Sequence, residues 1–195
     1  FVNLFIEHEG KIIRRAFSMS SSDQDQHSFT ISIRLSPDGQ LTPILWSRDF
    51  TGEKVKLMGP LGLNTADKMQ SGKVFLFGFG VGAGVVKSLA EHILQRSDVT
   101  SLTIVTGNRS VEEILHKEYF DYIANSSDKI TVKYVVSDKN QTEYPSGYIQ
   151  DHLTDYDFSN ADVYMCGQKV ACTALETAIA ATRPQNCNFF IEDFH

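Results

Sequence analysis

Through the first third of the chain, hydrophobic and polar residues alternate with a period near two, the spacing of half-buried strands. Candidate strands are Phe1–Glu7, Lys11–Met19, Ser28–Leu35 and Glu53–Gly59, with turns at Glu9-Gly10 and Ser36-Pro37-Asp38-Gly39. Between the last two strands, Thr42-Pro43-Ile44-Leu45-Trp46 predicts one short helix, with Thr42 as N-cap and Pro43 at its first position. Four short strands and one helix make a thin core, the expectation for a small antiparallel β-barrel missing its opening strands. The chain opens on Phe1, already inside a strand and without a methionine, so upstream residues are expected.

From Lys73 the pattern changes. Continuous apolar runs alternate with helical periodicity, giving strands at Val74–Phe77, Ser101–Thr106, Lys129–Val136, Asp162–Met165 and Asn188–Ile191. Helices are predicted near Val85–Arg96, Ser110–Asn125, Gly147–Leu153 and Lys169–Ala181. This alternation predicts an α/β doubly wound domain with a largely parallel sheet. The chain therefore divides into residues 1–70 and 71–195, with the polar, glycine-containing Lys68–Gly72 as linker.

Composition narrows the function classes. A net charge of −6 with no cluster of Lys and Arg argues against nucleic acid and fits a basic electron carrier or simple solubility. The longest apolar run, Val74 to Val86, is thirteen residues broken by glycines, too short for a bilayer. Cys166, Cys172 and Cys187 fit no metal or iron–sulfur spacing and no disulfide framework, which makes a reducing cytoplasm the default compartment. Ser20–His27 reads as a polar hairpin tip rather than a metal site, and His116 and His152 are expected on polar helix faces.

Two segments carry candidate chemistry. Glycines at 78, 80, 82 and 84 separate the strand ending at Phe77 from the helix beginning near Val85. Strand, glycine turn and helix bring backbone N–H groups to a helix N-terminus where a pyrophosphate can bind; a packing turn without ligand is the competing reading. In Arg14-Arg15-Ala16-Phe17-Ser18-Met19, alternation places Arg15, Phe17 and Met19 on one face. An arginine two residues from an aromatic ring suits a phosphate joined to a planar group, or is simply exposed beside a core phenylalanine.

In their order along the chain these motifs resemble the ferredoxin–NADP reductase family of flavoproteins. Arg15-Ala16-Phe17-Ser18 is similar to the family's Arg-x-Tyr-Ser, implying Arg15 on the flavin pyrophosphate, Phe17 against the isoalloxazine and Ser18 near flavin N5. Gly39-Gln40-Leu41-Thr42 resembles Gly-x-x-Ser/Thr, implying that backbone amides and Thr42 hold flavin phosphate; Met58-Gly59-Pro60-Leu61-Gly62 resembles the Gly-Pro-x-Gly leaving the barrel. Gly80-Val81-Gly82-Ala83-Gly84-Val85 stands in the place of Gly-Thr-Gly-x-Ala-Pro, without the threonine hydroxyl and the proline. Thr106-Gly107-Asn108-Arg109 is similar to the Gly-x-Arg segment, which favours a phosphate or ribose contact for Arg109. Met165-Cys166-Gly167-Gln168 resembles Cys-Gly-Pro, implying Cys166 near the reacting nicotinamide carbon. The closing Phe189–Phe194 segment resembles a final Glu-x-Phe strand, although Glu192 and Asp193 read more readily as a charged terminus than as proton carriers.

The resemblance implies a flavin-dependent NAD(P)H oxidoreductase that passes a hydride from nicotinamide C4 to flavin N5 and electrons onward. FAD is the implied flavin, with FMN also allowed. Where NADP-using relatives carry Ser-Arg after the third strand, this chain has Ser137-Asp138, whose carboxylate would repel a 2′-phosphate; NADH is therefore favoured, with Lys133 and Lys139 nearby acting the other way. The acceptor is open among a ferredoxin, an oxygenase component, another electron carrier or a small molecule. Val81, Val85 and Gln168 keep one alternative in view, a non-catalytic or relay nucleotide-binding subunit of a larger redox complex.

Overall fold

The computed structural model describes residues 1–25 and 27–194 of the 195, so Gln26 in the predicted hairpin tip and His195 lie outside the described residues. In the first region β1 (Val2–His8) and β2 (Lys11–Phe17) form a hairpin. Its two turn residues, Glu9 and Gly10, have φ of 50° and 73°, the backbone twist that two-residue hairpins need. A short strand, β3 (Lys56–Met58), pairs with the other edge of β1, giving the antiparallel order β2-β1-β3. Val2, Leu4 and Ile6 alternate inward; Leu4 and Ile6 form the small core with Leu41, flanked by Ile13, Phe17 and Phe50. The helix α1 (Thr42–Ser47) covers this core.

Two of the expected strands come out differently. Ser28–Leu35 meets its neighbour only at the bridge Met19↔Ile31 and through the Ser20 N–H to Thr30 carbonyl bond of 2.8 Å. Side-chain hydroxyls, its own and those of neighbouring residues, take up its groups instead of a ladder. The Thr30 N–H donates to Ser21 Oγ at 2.9 Å, and Ser32 Oγ lies 3.1 Å from His116 Nε2. Glu53–Gly59 contracts to Lys56–Met58, because Glu53 is drawn into a turn on the Phe50 carbonyl and pairs with Arg48, while Pro60 has no N–H to extend the ladder.

The second region is a five-stranded parallel sheet. Its strands are β4 (Lys73–Phe79), β5 (Ser101–Asn108), β6 (Ile130–Val136), β7 (Ala161–Gln168) and β8 (Asn188–Phe194), in the order β6-β5-β4-β7-β8. The helices are α2 (Gly82–Ile93), α3 (Lys117–Ala124) and α4 (Lys169–Ala181). Val74 and Leu76 of β4 face a core shared with α2 and Phe120, while Phe75 and Phe77 face one shared with Leu175 and Ile179 of α4. A strand covered on both faces has no polar side to show, which is why β4 reads as an unbroken apolar run. Winding proceeds outward from β4 to β6 and then restarts on the other side at β7. The reversal opens a crevice at the carboxyl ends of β4 and β7.

Helix boundaries also depart from expectation. α2 starts at Gly82 rather than Val85, so two of the glycines belong to the helix itself. The predicted Ser110–Asn125 helix breaks into a 3₁₀ turn at Val111–Glu113 and α3, with His116 between them at φ 57°. His116 therefore precedes the helix and faces Ser32 of the first region instead of lying on a polar helix face. The Gly147–Leu153 helix is a 3₁₀ turn, Ile149–His152, where His152 Nε2 lies 2.9 Å from the Ser146 carbonyl.

The crossing segment is pinned, not loose. Ala66 and Met69 are buried in the second region's core, and the Arg96 guanidinium bonds the carbonyls of Met69 and Ser71 and the Asp98 carboxylate. Asp162, fully buried on β7, accepts the Ser71 N–H at 2.6 Å and Asn188 Nδ2 at 2.8 Å. Asp162→Ala strands both donors and is expected to cost roughly 2–3 kcal/mol, read as a lower urea midpoint with an unchanged slope.

Candidate functional site

A cavity of about 550 Å³ lies where the two regions meet. One wall is the end of β2 and its continuation, Ala16, Phe17 and Ser18, with Ser32 and Arg34 beside them. The facing wall is Val81, Gly84 and Val85 at the start of α2, and Glu192, Asp193 and Phe194 of β8 complete it. Register explains the arrangement. β8 pairs in parallel with β7 so that Cys166 is opposite Glu192 and Gln168 opposite Phe194, which carries the acidic end of β8 to the crevice.

There, Ser18 Oγ donates a hydrogen bond to Glu192 Oε1, and the Tyr164 hydroxyl donates to Glu192 Oε2 at 2.8 Å. Both carboxylate oxygens are thus held, one from each side of the interface. Tyr164 and Cys166 are fully buried. Burial first, then the charge of Glu192, pushes the Cys166 thiol far above its ordinary range, so it stands as a neutral thiol and no thiolate nucleophile is available. Burial, then neighbouring negative charge, holds the Tyr164 phenol protonated as well.

The glycines of the turn serve different purposes. A Cβ on Gly82 would sit 2.1 Å from the Cys166 carbonyl oxygen, so Gly82 lets α2 touch the end of β7. A Cβ on Gly84 would lie 2.7 Å from Ser32 Oγ, so that glycine lets the helix touch the first region. Only Gly80, at φ 54°, has open space where its Cβ would be. Val81 gives α2 no side-chain cap and the first turn carries no acid, an electropositive helix start suited to an anion. Gly167, at φ 151°, packs its backbone against Phe79.

Arg15 lies outside the cavity, its Nη2 donating to Gln40 Oε1 at 2.6 Å, which sets the guanidinium beside the Gly39–Thr42 turn. Thr42 is not the helix N-cap; Leu41, buried, takes that position. The Thr42 hydroxyl lies 3.0 Å from the Ser36 N–H and 3.1 Å from its carbonyl oxygen, closing the turn on which Gly39 sits. Further along the same carboxyl edge of the sheet, just beyond β5 and β6, Arg109, Ser137 and Asp138 come together. The Ser137 N–H donates to the Asn108 carbonyl at 2.9 Å and the Asp138 N–H to the Arg109 carbonyl at 3.0 Å. Lys133 is committed elsewhere, 3.7 Å from Asp155 and over the Tyr156 ring.

The sequence-predicted residues therefore fall into three clusters. Phe17, Ser18 and Cys166 gather with Val81 and Gly82 at the crevice; Arg15 meets Gly39, Leu41 and Thr42; Arg109 meets Ser137 and Asp138. Sequence reasoning missed Tyr164, Ser32 and Arg34 and undervalued Glu192. The Tyr-x-Cys spacing on a strand was the available signal for Tyr164, since residues two apart share a face. An aromatic-walled cavity with a hydroxyl and a carboxylate on one edge fits a planar polar ring. The Arg15 cluster and the open Gly80 turn fit phosphates.

Comparison with known proteins identifies both regions. Residues 1–65 match the oxidoreductase FAD-binding domain and residues 76–176 the oxidoreductase NAD-binding domain. The glycine betaine monooxygenase reductase subunit of Pseudomonas aeruginosa is 25% identical over 173 residues, 86% of this chain and 47% of that protein. The 2-halobenzoate 1,2-dioxygenase electron transfer component of Burkholderia cepacia is 26% identical over 184 residues, 92% of this chain and 54% of that protein. The chain thus spans about half the length of the curated relatives it matches. Among solved structures, the Amycolatopsis cytochrome P450 reductase GcoB superposes with a TM-score of 0.86 at 23% identity, covering 99% of this chain and 59% of that one. The flavohaemoglobin-like FAD/NAD-binding domain of the Vibrio cholerae nitric oxide dioxygenase gives 0.85 at 19% identity, covering 99% and 83%. The chain belongs to the ferredoxin–NADP reductase-like family of FAD- and NAD-binding oxidoreductases.

Proposed function

We propose that this protein is the flavin- and nicotinamide-binding part of an NADH-dependent reductase that delivers electrons to an oxygenase component or a comparable carrier. When bound, the two cofactors supply the chemistry, a hydride passing from nicotinamide C4 to flavin N5. The chain supplies orientation and electrostatics. Residues 1–70 would hold the flavin, with Arg15 and the Gly39–Thr42 turn on its phosphates and Phe17 and Ser18 on its ring. Residues 71–195 would hold the dinucleotide, with the Gly80–Gly82 turn on its pyrophosphate and Arg109, Ser137 and Asp138 at the adenosine end. Cys166, a buried neutral thiol, would pack at the reacting centre, excluding water without reacting.

The observation that carries the reading is the Ser18–Glu192 hydrogen bond across the cavity, which joins the flavin-side strand to the nucleotide-side sheet at the point where two rings would meet. A visible spectrum of the purified protein with FAD, before and after anaerobic NADH, tests it. Bleaching of the flavin bands is the expected result. A flavin spectrum that NADH leaves unchanged would point instead to a relay subunit, and a protein that stays colourless with FAD would end the flavoenzyme reading. The acceptor is assigned by analogy with the relatives that serve oxygenases.

NADH is favoured because Asp138 follows the end of β6, its N–H donating to the Arg109 carbonyl and its carboxylate accepting the Asn140 N–H, while of the two nearby cations, Lys133 and Lys139, the first pairs with Asp155. A unit charge beside a phosphate is worth about 1 kcal/mol near water, more for a dianion. Asp138→Arg reverses that sign and is expected to raise the ratio of kcat/KM for NADPH over NADH by roughly tenfold or more. An unchanged ratio would place the adenosine ribose elsewhere.

A further inference from the structure

We infer that Tyr164 is a positioning residue that fixes the direction of the Ser18 hydrogen bond, making Ser18 an acceptor toward the flavin and thereby favouring the reduced cofactor. The inference rests on the flavin reading above. It starts from a chain of three side chains: the Tyr164 hydroxyl donates to one oxygen of Glu192, and Ser18 donates to the other. Tyr164 is fully buried on β7, so its ring cannot swing, and its phenol is kept protonated by burial. The carboxylate is thus anchored at Oε2 with Oε1 turned to Ser18.

A hydroxyl has one proton. With that proton committed to Glu192, Ser18 Oγ presents only lone pairs to the cavity it lines. Oxidised flavin N5 is itself an acceptor and gains nothing from such a neighbour. Reduced flavin carries N5–H, a donor, and pairs with it. Proton direction in this chain therefore discriminates between the two redox forms. Tyr164, which touches no solvent, sets that direction through Glu192.

Without the tyrosine hydroxyl the anchor at Oε2 is lost. The carboxylate is then free to turn to water, and Ser18 recovers its own proton for oxidised N5. Tyr164→Phe, which keeps the ring and its packing, is expected to shift the reduced-to-oxidised flavin ratio, equilibrated against a reference dye, five- to tenfold toward oxidised. For a two-electron couple that is roughly 20–30 mV more negative.

Glu192→Gln should move the ratio in the same direction, because its amide N–H₂ donates to Ser18. Tyr164→Phe should then add nothing in the Glu192→Gln background. A packing role for Tyr164 would instead give the same increment in both backgrounds. Glu192→Asp, one methylene shorter and unable to reach both hydroxyls, is the second single variant and should shift as Tyr164→Phe does. A yellow, folded Tyr164→Phe protein with an unchanged ratio overturns the inference alone, as does an increment that persists beside Glu192→Gln. If Tyr164→Phe does not fold, an unchanged ratio in Glu192→Asp overturns it. A wild-type protein that takes up no flavin overturns this inference together with the reading beneath it.

Discussion

Gly82→Ala is expected to destabilise the second region by about 3 kcal/mol or more, against the ~1 kcal/mol that alanine ordinarily gains over glycine inside a helix. The reason is what the new methyl would meet. Its nearest neighbours are the Cys166 carbonyl oxygen at 2.1 Å, the Cys166 carbonyl carbon at 2.7 Å and the Gly167 nitrogen at 3.2 Å. All three are main-chain atoms of β7, a strand bonded on one side to β4 and on the other to β8. No side chain can rotate out of the way, so either α2 lifts from the sheet or β7 shifts in its ladder. Gly80→Ala is the control. It has open space and a φ of 54°, so its cost is the left-handed backbone alone, about 1–2 kcal/mol. Urea unfolding of the two variants separates them, and a Gly82→Ala midpoint within error of wild type would refute the packing role.

Ser18→Ala should leave FAD bound and slow its reduction by NADH about 10²-fold, the scale on which a single preorganised hydrogen-bonding group acts at a reacting centre. On the proposed reading two things would be lost together: a contact with flavin N5 and the link that holds Glu192 Oε1 to the segment following β2. Stopped-flow reduction under anaerobic, NADH-saturating conditions isolates this step from acceptor turnover. A rate within threefold of wild type, with flavin still bound, would remove Ser18 from the reacting centre.

How legible this was depended on the range of the determining interactions. α4 was read to the residue, Lys169–Ala181, since its apolar stripe needs no knowledge of the rest of the chain. The five strands of the parallel sheet were placed within a few residues because burial on both faces leaves a local mark. The break in Ser110–Asn125 was not visible, because His116 takes a left-handed backbone while meeting Ser32, a partner 84 positions away. The Ser28–Leu35 ladder failed for a kindred reason, the competition of Thr30 and Ser32 side-chain partners for the segment. In the site, Arg15, Ser18 and Cys166 were singled out by their likeness to family motifs rather than by periodicity. Glu192 looked like a charged terminus because its two partners, Ser18 and Tyr164, lie on other strands.

The bond between Ser18 and Glu192 spans 174 positions of sequence. Among the described elements β8 is made last, after both the β2 wall and the α2 wall of the cavity, so those two walls precede the strand that completes it. β8 is also an edge strand, held to the sheet through β7 alone. An unfinished chain, or one nicked before residue 188, could keep both sheets' inner strands and still have no carboxylate to meet Ser18. The acidic side of the cavity thus depends on a single edge strand with one neighbour to hold it.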